Sequence, residues 1–274
     1  MKSSLFVTVF CIVLVGCWLL DAGMLADFAL SLLLGVLLVG GLEFLHQCTH
    51  NNAFKSRRAN RVWGRFFAAL LFMNFNSYKC FHIDHHKFTG KAKDPERALY
   101  EGGTSAWSAL LAAPLGYLQF AAAVGRYGGA LKRAGKADWR ISEAVRLGYI
   151  CGFLGVLLWR PWLAIHAQVI PFLVFAWIDH LFNQAEHYGC RSGLEEGVCA
   201  TPGEVSNDLL LPHWVGAVFL FRNLHRVHHL APMTKWHQAP RVFASLPVDE
   251  LRTLSFRRFL RRYFTEGARV WGIR

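Results

Sequence analysis

The stretch "FHIDHHKFTG", from Phe81 to Gly90, places three histidines within five positions. A second cluster of the same form, "NLHRVHH", contains His225, His228 and His229. Both clusters have the pattern H-x-x-H-H, and residues i, i+3 and i+4 of a helix lie on one face. The chain therefore presents three imidazoles from one helical turn at two separate places.

Two further segments add histidines, "HQCTH" with His46 and His50, and "NQAEH" with Asn183 and His187. Clustered imidazoles would repel one another if protonated and would waste donors if buried without partners. Metal binding removes both problems, because imidazole is a common ligand of transition metals. The predicted ligands are His46, His50, His82, His85, His86, His187, His225, His228 and His229.

The number of these histidines predicts two metal ions, each with several imidazoles and an open position. A structural zinc site needs only four ligands and usually includes cysteine. The seven cysteines here are scattered, with no C-x-x-C pair. Nearby carboxylates are candidates to accept the second N–H of a ligand imidazole, although any one of them could instead be a solvated acid or a helix cap. These candidates are Glu43, Asp84, Asp94, Glu186 and Asp208.

The composition indicates a membrane protein. Of the 274 residues, 54% are hydrophobic, which is more than an ordinary soluble domain carries. The net charge of +12 would suggest nucleic acid in a soluble protein, but here the apolar runs take precedence. Four apolar segments are predicted to cross the membrane, Leu5 to Leu20, Leu25 to Leu45, Val145 to Trp159 and Trp162 to Phe182.

These segments are predicted to form two hairpins, since the short stretches "DAG" and "RPW" join the members of each pair. Most of the 30 Lys and Arg residues fall in the stretches 46–144 and 183–274, so both stretches and both termini are predicted to be cytoplasmic. The apolar patch from Trp107 to Val124 contains Pro114 and is interpreted as too short to cross. The expected fold is a single all-α membrane domain over 1–274, with four crossings and a cytoplasmic helical cap that holds a di-metal site. A basic amphipathic tail over about 250–274 could lie on the membrane surface or be a solvated helix.

The histidine segments resemble those of the integral-membrane fatty acid desaturase family. The segments "HQCTH", "HIDHH" and "HRVHH" have the spacing and order of that family's three histidine boxes. The flanks "HHKFTGKAKDPE" and "NLHRVHHLAPMTKWHQAP" are similar to the family's second and third boxes as well. The resemblance covers roughly residues 40–245.

This resemblance implies a four-crossing bundle with a non-haem di-iron centre, O2 as co-substrate and an acyl chain or other lipid as substrate. It also implies that His187 binds iron while Asn183 contacts the iron through water. We expect electrons from a separate donor, a ferredoxin or cytochrome b5 with its reductase, because the sequence shows no fused cytochrome b5 and no nucleotide-binding motif. Membrane lipids are the other expected partners, and nucleic acid is not expected.

Two alternatives remain open at this point. The segment "NQAEHYG" is also similar to membrane alkane monooxygenases, which are related di-iron enzymes, so hydroxylation competes with desaturation. A membrane metal transporter or haem subunit is the alternative of a different class. Such a protein would place its histidines within the crossings, whereas most histidines here lie beyond the predicted crossing ends.

Overall fold

The structure is a computed structural model that describes residues 2–19, 23–96, 105–127, 129–191, 201–247, 253–268 and 271–273. Its first seven helices are α1 (Lys2–Leu19), α2 (Met24–Thr49), α3 (Arg57–Leu70), α4 (Phe75–Phe88), α5 (Ala106–Gly125), α6 (Gly129–Ala134) and α7 (Lys136–Trp159). Helix α8 (Pro161–Ala164) continues through a π-helical turn (Ile165–Val169) into α9 (Ile170–His187). Short helices follow: α10 (Pro202–Val205), α11 (His213–Val218), α12 (His225–Leu230), a 3₁₀ turn (Trp236–Gln238), α13 (Ala239–Ser245) and α14 (Phe256–Glu266).

Two pairs of very short strands complete the fold, which the all-α prediction did not include. Strand β1 (Cys190–Arg191) pairs in parallel with β4 (Trp271–Ile273), and β2 (Asp208–Leu210) pairs in parallel with β3 (Thr253–Ser255). Each pair joins the segment after α9 to the C-terminal segment. The strands therefore tie the chain end to the region that holds the histidines.

Five helical segments in the described residues are long and apolar enough to cross a membrane. Four of them match the four predicted segments, except that Leu20 of the first lies outside the described residues, and the fifth is α5. The patch from Trp107 to Val124 was interpreted as an interfacial or buried helix interrupted at Pro114; the helix is present, but the interruption is not, because α5 runs through Pro114 without a break. A proline removes one backbone hydrogen bond, while in an apolar setting the helix remains the way to satisfy all the others.

Helices α2 and α9 pack against each other at the centre of the molecule. At Gly35 of α2, an added Cβ would lie 2.6 Å from Cβ of Val174 and 2.8 Å from the carbonyl oxygen of Pro171. The two backbones therefore meet at a contact that only glycine permits. Buried phenylalanines, including Phe44 and Phe175, extend the core on both sides of this contact.

The start of α4 is fixed by the side chain of Asn74. Its Oδ1 accepts hydrogen bonds from the backbone N–H groups of Asn76 and Ser77, which satisfies orphan donors of the first turn. Its Nδ2 donates to the carboxylate of Glu143 on α7. Helix α4, which carries His82, His85 and His86, is therefore held in register with α7.

The basic tail forms a helix with a basic and an apolar side, as expected, but part of its apolar side packs into the protein. Within its described part, α14 directs Phe259 and Tyr263 into the core, where both are fully buried, while Arg257, Arg258 and Arg261 are exposed. The hydroxyl of Tyr263 donates to the carbonyl of Ala106 at the start of α5. The protein itself thus covers part of the apolar face of this helix, while Phe256 and Phe264 are exposed. Residues 250–252, 269–270 and 274 of the predicted tail lie outside the described residues.

We expect Gly35→Ala to destabilise the protein, because the new methyl group meets backbone as well as side chain across the α2–α9 contact. Overpacking of this kind costs about 1–3 kcal/mol. The thermal midpoint of the purified protein in detergent should fall by several degrees. Gly148→Ala on α7 is the matched control, since nothing lies within 4 Å of its added Cβ. An unchanged midpoint in Gly35→Ala would contradict this account of the packing.

Candidate metal centre

The nine histidines predicted as ligands come together in two groups. Within each group, one nitrogen of every imidazole lies within 4.8 Å of the corresponding nitrogens of all the others. The first group contains His46, His50, His82, His86 and His228. The second group contains His85, His187, His225 and His229. The groups are adjacent, because the rings of His86 and His229 are 4.6 Å apart between centroids.

Each H-x-x-H-H segment contributes to both groups. On α4, His82 and His86 belong to the first group and His85 to the second. On α12 the division is reversed, with His225 and His229 in the second group and His228 in the first. Residues i and i+4 are stacked on a helix face while i+3 is offset around the axis, so one turn serves two adjacent sites. This geometry explains why the same pattern occurs twice.

Helix ends bring the remaining predicted ligands to the same region. Helix α2 ends at Thr49, so His46 lies in its last turn and His50 is its C-terminal cap. Helix α9 ends at His187 itself. Because α2 and α9 are packed side by side, both ends deliver imidazoles to the same region.

Hydrogen bonds to the outer ring nitrogens fix the direction of the lone pairs. Nδ1 of His46 lies 2.8 Å from the carboxylate of Glu43, and Nδ1 of His85 lies 2.9 Å from that of Asp94. Nδ1 of His187 lies 2.6 Å from the carbonyl oxygen of Val205, which can only accept. In its neutral form, each of these imidazoles therefore carries its proton on Nδ1 and directs the lone pair of Nε2 inward.

The inner nitrogens are too close to one another to be satisfied by hydrogen bonds alone. Nε2 of His228 lies 2.8 Å from Nε2 of His46 and 2.7 Å from Nε2 of His86. A single Nε2 proton on His228 can serve only one of these contacts. In the second group, Nε2 of His225 lies 3.2 Å from that of His187 and 2.9 Å from that of His229. Metal cations bound by the converging lone pairs fit this arrangement, and neither group contains a cysteine among the described residues.

The charge state of the imidazoles also suits a cation. Burial holds the pKa values of His228 and His229 well below their usual value, and neighbouring imidazoles lower them further, so both rings are neutral at neutral pH. Burial alone would also lower the pKa of His85, but Glu96 and Asp94 outweigh it and raise that pKa to about 9. The carboxylates that favour a proton on His85 would favour a bound metal ion in the same way.

Two of the carboxylates predicted to hold ligand imidazoles have other partners in the structure. Asp208 accepts hydrogen bonds from Arg226 and from the N–H of Val227, and so it holds α12 rather than a ligand ring. Asp84 is directed away from both groups and binds Tyr127 and Arg133. Its position on α4 explains this, because Asp84 lies between His82 and His85 in sequence and therefore on a different side of the helix.

Asn183 and Glu186 belong to a buried network whose centre was missed from the sequence. The guanidinium of Arg222 donates to the carboxylates of Asp179 and Glu186 and to Oδ1 of Asn183 at 2.7 Å. The sequence indicated this network only by a single arginine in the apolar stretch "AVFLFRNL", directly before His225. A buried arginine requires several acceptors, and the three polar residues of the last turns of α9 supply them.

Glu96 was also missed, although it ends the quoted stretch "KAKDPE". Its carboxylate oxygens lie 3.7 Å from Nδ1 of His82 and 3.7 Å from Nδ1 of His85. It lines a polar cavity of about 50 Å³ beside the two groups, together with Tyr78, Asn183 and Arg222. This cavity has room for small molecules such as water or dioxygen next to the imidazoles.

The family model "Fatty acid desaturase" matches residues 6–257. The chain belongs to the fatty acid desaturase family. The match covers all four histidine segments and confirms the resemblance found in the sequence. A search of curated proteins found no match to this desaturase-family chain.

We expect Asp94→Asn to weaken metal binding, because an amide supports the N–H of His85 less strongly than a carboxylate does. Loss of such a partner typically lowers metal affinity by about 10- to 100-fold. Metal retention during titration with a chelator measures the effect. Asp84→Asn is the matched control, because Asp84 lies on the helix that carries His85 but its carboxylate binds Tyr127 and Arg133 instead. Equal retention in both variants would contradict the role given to Asp94.

Proposed function

We propose that the chain is an O2-dependent membrane oxidoreductase that uses two iron ions to introduce a double bond into an acyl chain or another lipid-like substrate. The supporting observation is the pair of adjacent imidazole groups, with five and four members, whose lone pairs converge. Family membership supports oxidoreductase chemistry of this kind. All-nitrogen ligation without cysteine favours iron over a structural zinc.

In this proposal each imidazole group holds one iron ion. Bound iron would supply activation of dioxygen and removal of hydrogen from an unactivated C–H bond. The protein supplies orientation: Glu43 and Asp94 hold the rings of His46 and His85. Arg222 holds Asn183 and Glu186 in place beside the second group. Burial of these groups excludes bulk water from the reacting carbon.

Desaturation is preferred over hydroxylation because the first two histidine segments have desaturase spacing. In desaturation, two hydrogen atoms of the substrate and two electrons and two protons from the donor reduce dioxygen to two waters. Hydroxylation uses the same donor electrons and protons but leaves one oxygen atom in the substrate. The similarity of "NQAEHYG" to alkane monooxygenases keeps hydroxylation as the second candidate.

A non-catalytic metal or haem protein is less well supported. The nine imidazoles are gathered at the ends of α2 and α9 and on α4 and α12, not along a path through the membrane. Their convergence in two compact groups leaves no pair of rings on opposite sides of a haem plane. These features favour a two-metal centre over transport or haem ligation.

We propose four crossings, with α5 remaining on the side that holds the metal centre. Directly after α5, Tyr127 binds Asp84 of the histidine-bearing helix α4. At the start of α5, the carbonyl of Ala106 accepts from Tyr263, which also contacts Nε2 of His180 on α9. Both ends of α5 thus meet elements near the centre. An α5 that crossed would instead place the start of α7 on the opposite side, away from Asn74, with which Glu143 interacts.

The positive-inside rule then places the metal centre and both termini in the cytoplasm. A separate electron donor, a ferredoxin or cytochrome b5 with its reductase, would approach there. Exposed lysines beside the second histidine segment, Lys87 and Lys93, offer positive charge to an acidic donor. The substrate would reach the centre from the membrane, as a lipid or as an acyl chain on a carrier.

The proposed function predicts about two iron ions per purified chain and no Soret absorption band. Expression with a reductase system should yield cellular lipids that have lost two hydrogen atoms. Lipid mass spectrometry distinguishes this outcome from hydroxylation, which adds one oxygen atom. Zinc as the only metal, or a haem spectrum, would overturn the proposal.

His85→Ala should lower the iron content and abolish turnover without changing membrane insertion, since His85 lies in the second imidazole group. His237→Ala is the matched control, because His237 follows the segment "HRVHH" but belongs to neither group. Iron analysis, product analysis and membrane fractionation of both variants provide the three readouts. Full activity of His85→Ala would contradict the assigned centre.

A further inference from the structure

A second polar site lies at the far end of the two helices that carry the metal centre. Asp27 precedes His46 on α2, and His166 precedes His187 on the continuous segment that ends in α9. At a rise of 1.5 Å per residue, the separations are about 29 Å and about 32 Å. A membrane hydrocarbon core is about 30 Å thick, so this site lies at the opposite membrane boundary.

The site is a cavity of about 350 Å³ between the two helical hairpins. Its aromatic lining consists of Trp18, Trp159 and Trp162. Its polar lining consists of Asp27, Arg160 and His166. Asp27 and His166 are each only 3% exposed, whereas Trp159 and Trp162 are largely exposed. Buried polar groups thus form the inner wall and tryptophans form the rim.

His166 provides an independent indication that the cavity takes a ligand. Its Nδ1 is buried and has no hydrogen-bond partner among the described residues. A buried polar atom without a partner costs free energy that a bound polar molecule can restore. The ring of His166 also lies 6.1 Å from that of Trp162 at the cavity rim.

The inner wall is held rigidly by Ser31 and a π-helical turn. The Ser31 hydroxyl lies 2.8 Å from the carbonyl oxygen of Asp27 and 2.6 Å from that of His166. His166 lies within the π-helical turn Ile165–Val169, and such turns often occur at functional sites. The serine therefore joins α2 to the turn and fixes Asp27 and His166 in the same wall.

The charges of the cavity select the class of ligand. Tryptophan faces and a carboxylate attract an ammonium group, and quaternary ammonium is the cation that aromatic cages bind best. A guanidinium binds phosphate, and Arg160 lines the same cavity. We propose that this cavity binds the zwitterionic headgroup of a phospholipid in the leaflet opposite the metal centre, with the ammonium among the tryptophans and Asp27 and the phosphate at Arg160.

The outer part of α7 supplies a surface for the lipid chains. Leu154 and Leu158 are exposed there, at 47% and 87%, and they precede Trp159 along the same helix. A phospholipid with its headgroup in the cavity can therefore lay its acyl chains along α7. An ordinary belt of interfacial aromatic residues accounts for exposed tryptophans, but it does not account for the buried Asp27 and His166 behind them.

The test is native mass spectrometry of the full chain, exchanged into mixed micelles that contain equal amounts of phosphatidylcholine and phosphatidylglycerol. These lipids share the phosphate but differ in the ammonium group. We expect the wild-type protein to retain phosphatidylcholine about fivefold to tenfold more than phosphatidylglycerol. Equal retention would overturn the proposal.

Two charge variants separate the two halves of the headgroup site. Asp27→Asn should remove the preference for phosphatidylcholine while leaving some retention of both lipids. Arg160→Gln should lower retention of both lipids together, because both carry the phosphate. The opposite pattern, or wild-type retention in both variants, would contradict the assigned positions of ammonium and phosphate.

Because Asp27 is buried, Asp27→Asn could alter the fold, so a second variant tests the site independently. Trp162→Leu serves this purpose, since Trp162 is half exposed and its substitution leaves the core intact. It should lower phosphatidylcholine retention severalfold, with an unchanged thermal midpoint. Trp214→Leu is the matched control, since Trp214 is 73% exposed and lies outside the cavity lining. Equal lipid retention in these two variants would show that the tryptophans are only membrane anchors.

Discussion

Nine imidazoles can share one buried space only if their lone pairs point inward and their N–H groups find acceptors outside. The acceptors here come from three different parts of the chain: Glu43 on α2, Asp94 after α4 and the carbonyl of Val205. Helix packing must bring these parts to within hydrogen-bond distance. The glycine contact at Gly35 meets this requirement, because it holds α2 and α9 close enough for their ends to meet.

The histidines could be predicted from the sequence because their spacing is a local property of a helix. The pattern H-x-x-H-H defines a face in any helix, and the four crossings expected from apolar length all fall within apolar helices of the structure. The partners of the histidines are a tertiary property and were predicted less well. Asp94 and Glu43 do contact ligand rings, whereas Asp84 faces away, and nothing in the local sequence separates these cases.

The features that the sequence did not reveal depend on contacts between distant segments. Arg222 looks like an isolated basic residue until Asp179, Asn183 and Glu186 are brought to it from a segment some forty positions earlier. The continuity of α5 was missed because Pro114 was given the weight that it has in a water-exposed helix. In apolar surroundings the backbone has no solvent to bind, and the helix persists.

The division of each H-x-x-H-H triplet between the two groups has a consequence for assembly of the centre. Because α4 and α12 each contribute to both groups, an ion that entered one group of the proposed centre would draw both helices into the geometry that the other group needs. The ordering cost is then met at the first binding event and is smaller at the second. Loading should therefore be positively cooperative, and chains with a single ion should be scarce at every concentration of metal.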